Sequence, residues 1–546
     1  MRKYFPPLIF LINNLISTLV FSQALSVNTN QLTFGNVFEN SPDSLQLTIS
    51  NVLPQPVTVT GIKFYNTYGS PAFSTQYRWF TVPGSDSVTI WIKFSPRHNI
   101  FHNTEMVIES DGHRGYTSVN LLGQGKYSDH YYDLSENISE ENLKNVLKLV
   151  TGNGFVSLGY NVARDSMFMR IDNKKINGQG ASQNTLECIY TGREAIGYIN
   201  RTDCQTNFSF NTEHTYPQSF FSSMEPMRSD LHHLFPTDDA ANNERDNNRF
   251  DTVVNPSWTS GGSLSNGTTF EPRDVQKGAS ARALFYFVIR YQNYNSFLDT
   301  QEAILRTWHY NFLPTAIEKK RNSDINNVQH NKNPFIDYPV FLERINSVSS
   351  NSVAPIISSI DLTQDTIIFG TVPSGIPVIY NYVIVNNGNT DIDFSNFNLT
   401  HPGELSFVTT GNDTTIQPGE SLTVQIECQT SLSDSIRAFL TFNSDATDNL
   451  QVSIPIFVND LVFTNVKEIF SDLVISPNPA NDYLKIDARN SSEVFNCFMF
   501  DITGKKIYSL TIYGEGKISL EGFNRGIYFL HLNGKKNNLV RKIVIE

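Results

Sequence analysis

The chain has 546 residues and a net charge of −12, with 39% hydrophobic and 17% charged residues. At roughly 100–200 residues per domain, that length predicts about three to five domains. The hydrophobic content excludes a disordered chain, the absence of a glycine period excludes collagen, and four cysteines are too few for a disulfide scaffold. The acidic balance argues against coating nucleic acid or membrane through bulk charge. The 39 Phe and 23 Tyr predict β-rich domains with aromatic cores.

Met1, Arg2 and Lys3 precede an apolar stretch over 4–21 and then Ser22, Gln23 and Ala24. A basic start, an apolar run and small residues predict a secretory signal peptide over 1–23. Asn13, Asn14 and Ser17 interrupt the run, which disfavours a membrane anchor. In an exported protein Cys188 and Cys204, sixteen positions apart, form a candidate disulfide. Cys428 and Cys497 read as isolated buried thiols.

Over 26–126, Leu45 to Ile49 and Val88 to Phe94 alternate with period two, each a half-buried strand. Several such runs predict an immunoglobulin-like β-sandwich. The pattern returns over 353–460. Phe34-Gly35-Asn36-Val37 matches Phe369-Gly370-Thr371-Val372, and Ile49-Ser50-Asn51 matches Val385-Asn386-Asn387. Pro83-Gly84 matches Pro418-Gly419, and Glu109-Ser110-Asp111 matches Asn443-Ser444-Asp445. Matches in one order predict a duplicated sandwich, with spacer or adhesion duty.

Between the repeats, over 129–347, the texture becomes helical. Ser139 reads as an N-cap before Leu143, Val146, Leu147 and Val150 at helical spacing. Further helices are predicted over 275–294 and 298–310. The expected fold class is therefore multidomain, with a mainly helical α+β domain between two immunoglobulin-like sandwiches. A β-rich segment follows over 473–546. That last segment carries SPNPA (476–480), DITGK (501–505), GIYFL (526–530) and RKIVI (541–545). These blocks resemble the C-terminal sorting domain of type IX secretion. The resemblance implies a small C-terminal β-sandwich, recognition by that secretion machinery and a secreted or surface-attached protein.

The densest chemical signal is NTEHTYPQSFF (211–221) followed by SDLHHLFPTDDAANNERDNNRF (229–250). Together they offer carboxylate and amide oxygens, imidazoles and arginines. Oxygen donors suit Mg²⁺, which keeps several waters; a neutral His can deprotonate water; Arg offers planar donors to phosphate. Adjacent residues on a regular strand face opposite ways, so Glu213 and His214 share a site only at a strand end or irregular turn. His232 and His233 complete no zinc spacing. Asp238 and Asp239 fit a loop before a helix as well as they fit ligands.

With FEPRDVQKGASARALFYFVIRY (270–291) and RNSDINNVQHNKNPFIDYP (321–339) in the same order, the region resembles the bacterial endonuclease I family. That family has a ββα-metal (His-Me finger) active site. The resemblance implies His214 as general base, Glu213 and Asn242 as metal ligands, and Arg245 as a candidate phosphate contact. It places Asp230 and His232 as supports of the loop. The implied cofactor is Mg²⁺, with Mn²⁺ or Ca²⁺ as alternatives, and the implied substrate is DNA, with RNA left open. The rival readings are a surface adhesion protein with an inactive centre and a phosphodiesterase of small substrates. Over 213–290 there are seven basic residues against ten carboxylates, so nucleic-acid binding requires a local arginine-lined groove.

Overall fold

The alternation over Ser87–Phe94 becomes a strand whose Ile90, Ile92 and Phe94 are fully buried. The structure is a computed structural model that describes residues 24–65, 72–112, 115–291, 296–409, 413–431, 435–459, 474–477, 480–487, 494–501, 506–533 and 538–545. The signal-peptide expectation, Asn478 and Pro479 of the SPNPA block, and 502–505 of the DITGK block lie outside the described residues. The chain divides into two units, Met1–Asp460 and Leu461–Glu546.

In the first unit, Asp43–Asn51 pairs antiparallel with Ser87–Phe94, setting Leu47 opposite Ile90. Leu25–Val27 and Phe73–Ser74 flank this pair. The second sheet of the sandwich runs Gln31–Phe38, Thr117–Lys126, Phe101–Ser110, Val57–Phe64, Phe80–Val82. Ile49 and Ile92 from one sheet meet Val59, Met106 and Leu121 from the other in a single core. Inward positions alternate because side chains of successive strand residues take opposite faces.

The later sandwich repeats this order strand for strand. One sheet runs Ile360–Leu362, Val378–Asn386, Ser421–Cys428, Leu405–Thr409. The other runs Ile367–Gly370, Gln451–Val458, Ile436–Ser444, Ile392–Leu399, Thr414–Ile416. One detail of the repeat shifts by a residue. The buried Asn51 amide donates to Gln55 O at 2.7 Å and Val82 O at 3.2 Å. Its equivalent is Asn386, not Asn387, donating to Thr390 O at 2.8 Å and Ile416 O at 3.0 Å. The two sandwiches touch through Val107, Val383 and Val385 and through a Tyr65–Asp361 hydrogen bond of 2.6 Å.

The intervening region is not simply helical, which corrects the expectation. Its main helices are Glu140–Gly152, Asp274–Tyr291, Glu302–Asn311 and Ala316–Gln329. Three small sheets accompany them, in strands of two to five residues. Strands that short hold too few residues to show a period of two, so the sequence pattern reveals only the helices. Ser139 does stand at the N-cap of Glu140–Gly152, but its side chain makes no cap hydrogen bond. The helix expected over 298–310 is broken into Ser296–Asp299 and Glu302–Asn311. Asp274–Tyr291 is the axis of the region. Its residues 280–289 are all buried, so it is apolar around its circumference rather than along one stripe. The one charge in that stretch, buried Arg282, is held by Glu318 at 2.6 and 2.7 Å.

The second unit is a seven-stranded sheet whose last strand bridges back from Ile545 to Ala480, beside its first strands. Leu484, Ile486, Phe495, Met499, Leu530 and Ile543 form its core. No helix among the described residues is long and apolar enough to cross a membrane.

Candidate active site

The strand Phe210–His214 pairs antiparallel with Leu234–Asp238, setting Glu213 opposite Phe235 and His214 opposite Leu234. The helix Asp239–Arg245 follows immediately. Asp238 starts it, accepting the Ala241 N–H at 2.8 Å and so satisfying one of the helix's unpaired donors. This cap, not metal ligation, is what Asp238 does. The unit is a ββα motif. His214 is the last residue of its strand, and there the strict alternation of faces lapses. Glu213 and His214 therefore line one cleft of about 360 Å³, together with Thr212, Gln218, Asn242 and Asp246.

His214 is buried, with Nε2 3.1 Å from the Arg228 carbonyl oxygen. A carbonyl only accepts, so Nε2 carries the proton, and no donor among the described residues meets the Nδ1 lone pair. The His233 ring lies 5.5 Å away and the Tyr160 ring 5.6 Å away. Burial, and after it the neighbouring His233, push the His214 pKa down to about 3. The imidazole is neutral at any ordinary working pH.

Glu213 is 3% exposed. Its Oε1 accepts the Tyr190 hydroxyl at 2.7 Å and lies 3.3 Å from Arg245 Nε, while Oε2 has no partner among the described residues. Burial raises its pKa, and Arg245 and Tyr190 oppose the rise. The Asn242 amide is half-buried on the facing helix and makes no side-chain hydrogen bond among the described residues. Exposed Asn243, Asp246 and Asn247 form the rim.

Arg245 is not in the cleft, which corrects its expected role as a phosphate contact. It is fully buried behind Glu213, donating to Thr215 O at 2.8 Å and Asp246 O at 2.7 Å, with its guanidinium 4.4 Å from the Phe250 ring. Three positions after Asn242 on the helix, it points to the core side, and its charge serves Glu213. Asp230 and His232 also lie behind the cleft. Asp230 accepts from Tyr286 at 2.8 Å, Tyr291 at 2.9 Å and Gln329 at 3.1 Å, binding the loop to two helices. The His232 Nε2 meets Asn331 O at 3.2 Å. The expected disulfide is absent: Cys188 and Cys204 are free and buried. Cys188 Sγ instead accepts the Asp238 N–H at 3.2 Å beside the site helix.

Tyr190 and Tyr160, which shape the site, carry no sequence signal. Each reaches it from a remote segment.

The donors fit a hard divalent cation. They comprise one carboxylate oxygen without a protein partner and one free amide, facing each other across a polar cleft. Among the described residues no three His, Cys, Asp or Glu side chains gather in a group that could hold a metal ion, so the fit rests on Glu213 and Asn242 alone.

Residues 139–340 match the Endonuclease I family model. Residues 358–456 match a HYDIN/CFA65/VesB-like, Ig-like domain, and 474–546 match the secretion system C-terminal sorting domain. The sorting domain marks the protein for secretion or the cell surface. An extracellular ribonuclease of Bacillus subtilis is 27% identical over 236 residues, 40% of this chain and 78% of that protein. The extracellular ribonuclease of Bacillus amyloliquefaciens is 27% identical over 247 residues, 42% of this chain and 82% of that one. Among solved structures, the ASH/PapD-like domain of human CEP192 aligns with a TM-score of 0.18 and 13% identity, covering 24% of this chain and all of that one. At that score the likeness carries no argument.

Proposed function

We propose that the protein is a secreted, metal-dependent endonuclease that hydrolyses backbone phosphodiesters of DNA and RNA with little sequence preference. The observation that carries this reading is the pairing, in one open polar cleft, of a His with a free Nδ1 and a Glu–Asn oxygen set. Glu213 and Asn242 would hold Mg²⁺, which supplies charge to offset that developing on the phosphate. The chain's own residues do the rest. The Arg228 carbonyl holds the imidazole in the tautomer whose Nδ1 takes a proton from water. An incoming phosphate, negatively charged beside His214, raises the pKa that burial has lowered, bringing the base toward its working range. Tyr190 and Arg245 hold one Glu213 oxygen so that the other stays turned to the cleft. In-line attack by water then breaks the bond from phosphorus to the 3′ oxygen, which takes a proton from solvent, leaving a 5′ phosphate and a 3′ hydroxyl.

The names of the two Bacillus relatives bring RNA forward beside DNA as a substrate. The exposed rim of Asn243, Asp246 and Asn247 favours a polymer over a small enclosed diester. The test is cleavage of plasmid DNA and of a structured RNA by the mature protein, with Mg²⁺ and with chelator, beside His214→Ala. Metal-dependent cleavage that falls at least ~100-fold in the variant is expected. Intact polymers with every divalent ion tried would remove the nuclease reading in favour of adhesion. Equal cleavage by the variant would remove His214 from its role.

A further inference from the structure

An acidic chain that binds a polyanion needs a local site of unpaired positive charge. Three arginines outside the ββα unit's own strands and helix meet this condition. Arg164 and Arg228 converge on one ring: their guanidinium carbons lie 4.1 and 4.2 Å from the Tyr160 centroid. Arg290 lies 5.0 Å from the Phe155 ring and 5.1 Å from the Tyr291 ring. None of the three is ion-paired among the described residues, and each has a buried Nε without a hydrogen-bond partner. Elsewhere in the domain, guanidinium groups are typically matched to carboxylates, as in Arg273–Glu187, Arg282–Glu318 and Arg321–Asp172. Half-buried and without a carboxylate among the described residues, the three guanidinium groups keep donors for a ligand, although Arg164 Nη2 already donates to Asn161 Oδ1 at 2.8 Å.

Their placement says which ligand. Tyr160 packs against the His214 ring, and the Arg228 backbone carbonyl is the acceptor that orients that base. Phe155 and Tyr160 belong to one short segment, and Ser157 Oγ within it lies 3.1 Å from Ser229 Oγ, next to Arg228. A single stretch of chain therefore carries the aromatic supports of all three arginines up to the proposed base. With two guanidinium groups and an imidazole gathered around it, the Tyr160 ring is a support rather than a platform for stacking bases. What remains on offer is guanidinium N–H groups, which recognise phosphate.

We propose that Arg164, Arg228 and Arg290, held on Tyr160, Phe155 and Tyr291, form a track for successive phosphates of one nucleic-acid strand, leading it to the cleft beside His214. The proposal rests on the nuclease reading and adds a polymeric ligand and the residues that grip it. Side-chain changes at Arg228 leave its orienting carbonyl in place, so binding can be separated from base orientation.

The test is fluorescence anisotropy of a labelled 20-nucleotide single strand with the full-length His214→Ala protein in Mg²⁺, across a salt series. It is repeated after adding Arg164→Gln and Arg228→Gln together, and after adding Arg290→Gln. Thermal midpoints check folding. Folded variants should bind at least ~10-fold more weakly, with the log–log salt slope reduced by about one per arginine removed. In the active background the same changes should raise KM more than they lower kcat. Unchanged affinity and slope in folded variants would overturn the track while leaving the nuclease reading intact. Absence of any binding by the parent, together with no cleavage by the wild type, would overturn both.

Discussion

Replacing Arg245 with Met tests whether the guanidinium behind the cleft exists to hold Glu213. The side chain is fully buried and makes two hydrogen bonds to backbone carbonyls besides its 3.3 Å ion pair with Glu213. Met keeps much of the volume but leaves the Glu213 carboxylate, itself 3% exposed, with only the Tyr190 hydroxyl. Removing one partner of a buried pair costs about 3–5 kcal/mol. For a cooperative unit of this size each kcal/mol moves the midpoint by about 2–4 °C, giving a fall of about 6–20 °C. Scanning calorimetry in chelator measures it. The double variant Arg245→Met/Glu213→Gln should recover part of the loss, because a neutral amide needs no counter-charge. The Mg²⁺ concentration for half-maximal cleavage should also rise in Arg245→Met, since without the guanidinium the Glu213 pKa climbs further and less carboxylate is present. A midpoint shift below about 2 °C, or strictly additive single and double variants, would refute the coupling.

Other outcomes follow from single features. Burial raises Glu105, between the sandwiches, to about 7 against weaker opposition from Ser118 and Ser421, with Glu420 adding to the rise. Its folded pKa lies above the unfolded value, so the stability this group contributes is present below pH 4.5 and lost as pH rises through 7. Glu105→Gln should therefore leave the urea midpoint unchanged at acid pH and stabilise the protein by about 2–3 kcal/mol at pH 8. Asp246 closes the site helix at φ 41°, ψ −132°, a conformation suited to glycine. Asp246→Gly should raise the thermal midpoint, with a gain of about 1 kcal/mol, and a drop would show that the carboxylate itself holds the turn. Thiol titration of the unfolded, unreduced protein should give four free thiols, and a reductant should leave the midpoint unmoved. Two missing thiols would restore the Cys188–Cys204 bridge.

Much of the architecture is legible in the residues. The alternation over Ser87–Phe94 and the Phe34/Phe369 repeat announce two like sandwiches, and the strand orders agree throughout. The one-residue error at Asn386 arises because a run of asparagines offers two registers, and only the turn's hydrogen bonds choose between them. The small sheets of the central domain escape notice because each strand is shorter than a recognisable period. The candidate disulfide fails because two cysteines sixteen residues apart say nothing about where their side chains meet.

At the site, the sequence by itself determines the donors: the adjacent Glu213 and His214, and Asn242 followed three residues later by Arg245. It does not determine what each one faces. Tertiary structure decides that Arg245 is buried under Glu213 while Arg228 and Arg164 gather on Tyr160. It also decides that His214 offers Nδ1, through a carbonyl fourteen residues away. The reason is physical. A residue type fixes which charges and hydrogen bonds are available, whereas burial, partner and tautomer depend on the remote segments packed against it.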